Sequence, residues 1–378
     1  MYAIASTTSD SRLPQDSICR NEELLRRDLQ DSWPRVAVTQ QSWMSFLGDM
    51  DGDGLFDFPA GIDAVSLLPP VAPAEPSLVD LWFSSDRDFL GFKDGDILRL
   101  SPIGGVELVY SEVSLHATLQ PTSGSIDIDA LYVLEPKVLL ISLANNLTAT
   151  NLGDIKDGDI LEWNPSAQTV TIFAREADVQ NWVDTATGGS SAIGDLKSLS
   201  MLPGTPHLAF TVQAPTAMDA SVFSNENGGT LVQSWQESDW AFQESTELDA
   251  LSFVPEEFRQ PIVLSTDVAY VQPQSRIKLR MHHATPGAQL RGIAGTTFTI
   301  QSQLNGHAGV AVVNPFVGAS RNWPAANQAP LFADASGSAA YDAVLPSLPA
   351  GAAFLTLWCQ ALDSQSQGWS TPIVLRLE

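Results

Sequence analysis

The sequence predicts an all-β protein, a small β-propeller-like repeat domain followed by an antiparallel β-sandwich. Three observations carry that expectation. The 26 glycines and 24 prolines are scattered through the 378 residues rather than gathered in tracts, which suits many short strands and turns. Asp-Ala-Leu and Asp-Gly-Asp-Ile strings recur through the middle of the chain. The last third alternates apolar segments with turn signals such as Thr285-Pro-Gly287 and Leu304-Asn-Gly306. With 44% hydrophobic and 17% charged residues, the chain can bury real cores. The expected divisions are an N-terminal extension over 1–32, the repeat domain over 33–258 and the sandwich over 259–378.

From the N-terminus, residues 16–30 read as a short helix. Asp16 or Ser17 is placed to cap it, and Ile18, Leu24, Leu25 and Leu29 give it a partial apolar face. Everything after Trp33 reads as short strands. Lys93-Asp-Gly-Asp-Ile-Leu98 returns as Lys156-Asp-Gly-Asp-Ile-Leu161. Each unit opens alike, at Ile62-Asp-Ala-Val65, Ile128-Asp-Ala-Leu131 and Leu248-Asp-Ala-Leu251, with Gly194-Asp-Leu-Lys-Ser-Leu199 as a degenerate copy. Four short strands per unit is the pattern of a propeller blade, although a spacing of roughly 65 residues exceeds the common blade repeats. Three units are complete and a fourth only begins at 248–254. Strands at Val36–Val38, Trp43–Leu47 and Leu55–Phe58 are expected to complete it, giving four blades, because an unclosed ring would leave bare sheet edges. The alternative is an open stack or sandwich of the same units.

Beyond residue 261, strands are expected at 262–271, 276–281, 296–303, 309–313, 340–345, 354–361 and 373–377. Seven such strands suggest a sandwich of immunoglobulin or fibronectin type, similar to C-terminal modules of large secreted bacterial proteins. The middle resembles uncharacterised bacterial exported repeats, and neither resemblance implies an activity.

The most specific chemistry lies in Asp49-Met-Asp51-Gly-Asp53-Gly54-Leu55-Phe-Asp57. Acids occupy positions 1, 3, 5 and 9, with glycine at position 6, where a calcium loop turns sharply. Position 12, the bidentate glutamate of an EF-hand, is Ala60. The string Gly48–Asp57 closely resembles the calcium loop of FG-GAP, integrin-α-type repeats, which joins two strands of a blade. That resemblance implies Asp49, Asp51, Asp53, the Leu55 carbonyl and Asp57 as ligands, with water or Asp63 completing the shell. Acids packed this closely repel one another unless a cation neutralises them. Further metal candidates are Asp86, Asp88, Asp94 and Asp96 in the first unit and Asp154, Asp157 and Asp159 in the second. The competing explanation for these is turn chemistry, each aspartate accepting hydrogen bonds from nearby amides.

Acids outnumber bases 44 to 19, a formal charge of −25 that opposes nucleic acid and anionic lipid. No apolar run is long enough to span a bilayer. The N-terminus lacks a signal-peptide pattern, and the calcium loop favours an extracellular or cell-surface setting in which such a signal has been removed. Cys19 and Cys359 have no metal-ligand spacing, and two free thiols are favoured over a bridge. Asp127 and Asp129 project from one strand face, but the second position recurs as Asp63 and Asp249, which argues for a repeated structural bond over acid catalysis. His282 and His283 point to opposite faces. Trp82 and Trp163 fall in apolar strands and read as core. Asn146-Leu-Thr148 fits a glycosylation sequon. The expected function is a non-enzymatic, calcium-binding surface, adhesion or self-assembly protein, whose partners are calcium ions and itself, another surface protein or a glycan. The alternative is a carbohydrate-binding or glycan-hydrolysing propeller.

Overall fold

The computed structural model describes residues 2–13, 18–28, 34–67, 81–100, 105–135, 137–189, 192–202, 205, 207–213, 220–227, 230–240, 242, 246–254, 263–266, 270–282, 284–295, 298–301, 311–313, 320–324, 329–335, 337–349, 352–353, 355–365, 370 and 373–378. The protein is all-β, built from several antiparallel sheets with four short helices among the described residues.

Four of the sheets have four strands each. The first joins Ala64–Leu67, Leu81–Ser84, Ile97–Leu100 and Val106–Tyr110 in chain order. The second joins Ile128–Glu135, Val138–Leu143, Ile160–Asn164 and Thr169–Ala174, and the third Ser198–Met201, Leu208–Thr211, Val222–Asn227 and Thr230–Trp235. The fourth is made from both ends of this region. Leu248–Val254 pairs antiparallel with Tyr2–Thr7, followed by Leu24–Asp28 and Arg35–Val38.

Of the strands expected to complete the fourth sheet, Val36–Val38 lies within Arg35–Val38, while the other two differ. Residues 16–30 hold no helix where they are described: Ile18–Cys19 and Leu24–Asp28 are strands. Leu24 and Leu25 are both fully buried, in separate apolar clusters, because this strand is covered on both faces. Two adjacent buried leucines read in sequence as part of a helical face. Residues 16 and 17, the two candidate caps, lie outside the described residues. Conversely, Trp43–Leu47 belongs to a helix, Gln40–Leu47, capped by Thr39, whose hydroxyl accepts the Ser42 amide at 3.1 Å. Residues 55–58 form no strand. Helices at Glu112–Leu119, Glu176–Thr187 and Glu237–Trp240 likewise follow the last strand of the other three sheets.

Each sheet shares an apolar core with its neighbour. Ala64, Trp82 and Ile97 of the first meet Ile128, Leu139 and Trp163 of the second. Leu140 and Ile160 meet Leu199, Phe210 and Phe223 of the third. Ala209, Val222 and Trp235 meet Ala3, Ala5 and Leu251 of the fourth. Ile4, Leu24 and Ala250 meet Val65, Leu81 and Phe83 of the first. Hydrogen bonds repeat the same order. Ser6, Ser84 and Thr211 donate to the carbonyls of Ile62, Ile128 and Leu248, and Ser66, Ser200 and Ser252 accept the amides of Val133, Phe253 and Leu67. Trp82 and Trp163 are core, 5% and 1% exposed.

The Lys-Asp-Gly-Asp strings are explained by a staple. The second aspartate is buried and accepts two amides, one from the lysine of its own turn and one from the first residue of the helix that ends the sheet. Asp96 accepts Lys93 N and Glu112 N, at 2.9 and 2.8 Å, and Asp159 accepts Lys156 N and Glu176 N, at 3.1 and 2.7 Å. Glu23 does the same with Arg20 N and Gln40 N, at 3.1 and 2.9 Å. Arg20-Asn-Glu-Glu-Leu-Leu25 is thus a third copy of the string, in the fourth sheet. The glycine is required by space, since a Cβ on Gly95 would lie 2.7 Å from the Ile126 carbonyl oxygen.

The C-terminal part has a sheet of Val263–Ser265, Arg276–His282 and Ala339–Val344, and a larger one led by Gln289–Gly295, Leu355–Asp363 and Ile373–Leu377. Leu264, Leu279 and Met281 of one share a core with Leu290, Leu357, Ala361 and Leu375 of the other. Gln289–Gly295 was absent from the sequence reading, and Tyr270–Val271 pairs parallel to Arg376–Leu377. The expected strands at 296–303 and 309–313 survive as Phe298–Gln301 and Ala311–Val313, while turn 304–306 and the boundary at 258–259 lie outside the described residues. Cys19 and Cys359 are buried free thiols.

Removing the carboxylate of a staple leaves two amides without a partner, one in the turn and one at the helix start, at about 1–3 kcal/mol each. Asp159→Ala is expected to lower the unfolding free energy by about 2–4 kcal/mol in urea titrations. Glu23→Ala should fall in the same range, as the third copy of the same device.

Candidate functional site

Two acid clusters bring together one carboxylate oxygen from each of three residues, all within 4.8 Å: Asp49, Asp51 and Asp57, and Asp63, Asp129 and Asp249. They differ in every other respect.

The first is the exposed loop after the helix Gln40–Leu47, so its leading flank is helical where a strand was expected. Gly48, Gly52 and Gly54 have φ of 68°, 77° and 90°, the left-handed region that glycine enters without strain. The backbone amides organise the acids: Gly54 N donates to Asp49 Oδ2 at 3.0 Å, Asp53 N to Asp51 Oδ1 at 3.0 Å, Leu55 N to Asp53 Oδ1 at 2.7 Å, and Met50 N to Asp57 Oδ2 at 2.6 Å. Carboxylate oxygens keep lone pairs beyond these bonds, and three converging carboxylates are a donor set that suits a hard cation. Asp53 stands outside the converging trio. Asp57 has its pKa raised, by burial first and then by Asp51 and Asp49. The loop's far side is fixed to the C-terminal sheets. Arg376 donates to the Gly54 carbonyl, the Tyr270 hydroxyl accepts Phe56 N at 2.9 Å, and Phe56 packs with Met44 and Val374.

Asp63, expected to complete that shell, instead joins the second cluster. Here the opening strands of the four sheets pack on one another. When their serines are aligned, Asp63, Asp129 and Asp249 occupy one position and Lys197 takes it in the third sheet. The degenerate copy is therefore read two residues further on than its Asp195 suggested. Lys197 Nζ lies 2.9 Å from Asp129, 3.3 Å from Asp195 and 3.9 Å from Asp249. Burial opposes its charge, but these three acids outweigh burial and raise its pKa. Asp63, Asp195 and Asp249 have raised pKa values, burial being the first cause and neighbouring carboxylates adding to it. Asp127, beside the cluster, is pushed up to about 7, by burial and then by Asp94 and Asp129. Asp129 is 2% exposed and paired with Lys197.

The other aspartates go to local bonds. Besides the staples Asp96 and Asp159, Asp88 pairs with Lys93, and Asp94 and Asp154 accept the amides of Gly95 and Ala149. Asp157 offers its backbone carbonyl to Ser142, and Asp86 packs against Gly61, 3.7 Å from Arg87. Among the described residues none of these seven joins a converging trio. No helix among the described residues is long and apolar enough to cross a membrane.

No family model and no curated protein matches the chain. Two solved structures show a faint likeness. A Salmonella alpha-2-macroglobulin reacted with methylamine has a TM-score of 0.21 and 10% identity over 58% of this chain, which spans 17% of that one. The other combines manganese lipoxygenase of Gaeumannomyces graminis with a partial zonadhesin of Komagataella pastoris; it has a TM-score of 0.16 and 10% identity, and the match covers 83% of this chain and 93% of that chain. Likeness this low carries no argument about fold or function.

Acids whose pKa is raised on folding hold protons that the unfolded chain releases above about pH 4, so their contribution to stability is full below that pH and is lost as pH rises through the folded values. In chelator, the melting temperature is expected to fall between pH 5 and 8, across the value near 7 of Asp127. Thermal denaturation at constant ionic strength measures it, and a temperature that rises over this interval would contradict the assignment.

Proposed function

We propose that the protein is an exported, calcium-braced, non-enzymatic β scaffold acting at a cell surface in adhesion or self-assembly. In this reading the four four-stranded sheets form a closed ring of four blades, and the C-terminal sheets form a sandwich of immunoglobulin or fibronectin type. Support for the ring comes from the four shared cores, which follow the order first, second, third, fourth and first again. Pairing of the two ends of the repeat region is the device that would remove bare sheet edges.

The single observation that carries the calcium reading is the loop at 49–57, with three converging carboxylates on one side and Arg376 and Tyr270 of the C-terminal sheets on the other. A bound ion would neutralise the acids and stiffen the loop against which those sheets rest. Calcium would thereby set the orientation of the C-terminal sheets, leaving their surface to a second copy, another surface protein or a glycan. Of the residues behind a carbohydrate-active alternative, Asp129 is paired with Lys197, and Trp82 and Trp163 are inside.

A ligand at a hundred times its dissociation constant stabilises the folded state by about 2.7 kcal/mol. Calcium is expected to raise the melting temperature by several degrees, and Asp51→Ala to remove one bound ion per chain together with that ion's share of the rise. Calorimetry and equilibrium dialysis with calcium chloride check both. An unchanged stoichiometry and melting response in the variant would overturn the reading.

A further inference from the structure

We propose a second, internal cation site where the opening strands of the four sheets meet, with a calcium-like hard ion held by Asp63, Asp129 and Asp249 beside the ammonium of Lys197. The geometry is that of an ion cage. One oxygen from each carboxylate lies within 4.8 Å of the others, the span across an ion whose oxygens sit at about 2.3–2.6 Å. All three side chains are buried, at 6%, 2% and 7% exposure, and come from three different sheets.

Charge gives a reason for an ion. Four acids, Asp63, Asp129, Asp195 and Asp249, surround one lysine, and buried carboxylates persist only when paired. Lys197 reaches Asp129, Asp195 and Asp249 but makes no ion pair with Asp63. Among the described residues, the charged groups that act most on Asp63 are all carboxylates: Asp249, Asp129, Asp127 and Asp86. A second observation lies outside the trio. Asp195 is 7% exposed, sits against Lys197 and Asp129, and its Oδ1 has no hydrogen-bond partner among the described residues. The cluster thus offers more carboxylate oxygens than its single ammonium can satisfy, the unpartnered one being on Asp195.

The site differs from the loop at 49–57 in its residues, burial and position, so the two can be separated. In full-length Asp51→Ala protein, refolded with calcium chloride and gel-filtered, one calcium per chain is expected by elemental analysis, with terbium luminescence sensitised by the buried tryptophans. Adding Asp63→Asn and Asp249→Asn should lower calcium affinity at least tenfold. Lys197→Gln, which keeps all three ligands and removes the competing charge, should raise it at least threefold, and serves as the test if the double asparagine variant fails to fold. Absence of bound metal in Asp51→Ala, or an affinity that Lys197→Gln leaves equal or weaker, would overturn the proposal and show that protons alone balance the cluster. Loss of the loop's ion without loss of this one would leave the two readings independent.

Discussion

The pairing of Tyr2–Thr7 with Leu248–Val254 is the constraint on which the rest of the structure depends. It joins residues from opposite ends of the repeat region into one ladder, so the fourth sheet exists only when both are in place. Ala3, Ala5, Leu248 and Leu251 face the third sheet across one core, and Ile4 and Ala250 face the first across another. Without this ladder the first and third sheets would each present an apolar face to water, at roughly 25 cal/mol for every Å² uncovered. Long-range closure of this kind costs loop entropy before any contact forms, so the four sheets are expected to fold together rather than one by one.

The same packing creates the electrostatic problem at the centre. A repeated aspartate is tolerable at the start of one strand but not at the start of four that touch. The third sheet answers with Lys197 in place of the acid. That exchange also stands in for the second sheet's missing serine. Tyr132 occupies the position of Ser66, Ser200 and Ser252, and the link from the second sheet to the third runs through Asp129 and Lys197. The residue that lowers the charge is thus also the one that ties two sheets together.

Much of this was legible in the sequence, and the failures have physical causes. The repeated Lys-Asp-Gly-Asp strings and the Asp-Ala-Leu openings marked the sheets correctly, because a shared local geometry demands the same residues each time. Glu23 escaped notice because one extra methylene lets a glutamate make the bonds of an aspartate from a slightly different backbone path. Leu24 and Leu25 misled because a strand buried on both faces loses the alternation that identifies strands. Helix Gln40–Leu47 lacks a clear sequence signal because the aromatic Trp43 and Phe46 favour strands, and the helix is set by the Thr39 cap and the Glu23 staple. The gathering of Asp63, Asp129 and Asp249 is a property of the packed sheets and has no local signature.

Native-state hydrogen exchange tests the central claim most directly. If the ladder between Tyr2–Thr7 and Leu248–Val254 holds the repeat region together, amides of 2–7 and 248–254 exchange in the slowest class, at the same free energy as those of Ile128–Glu135 and Val138–Leu143. Exchange of 2–7 at the rate of a frayed terminus, while the second sheet stays protected, would contradict the account.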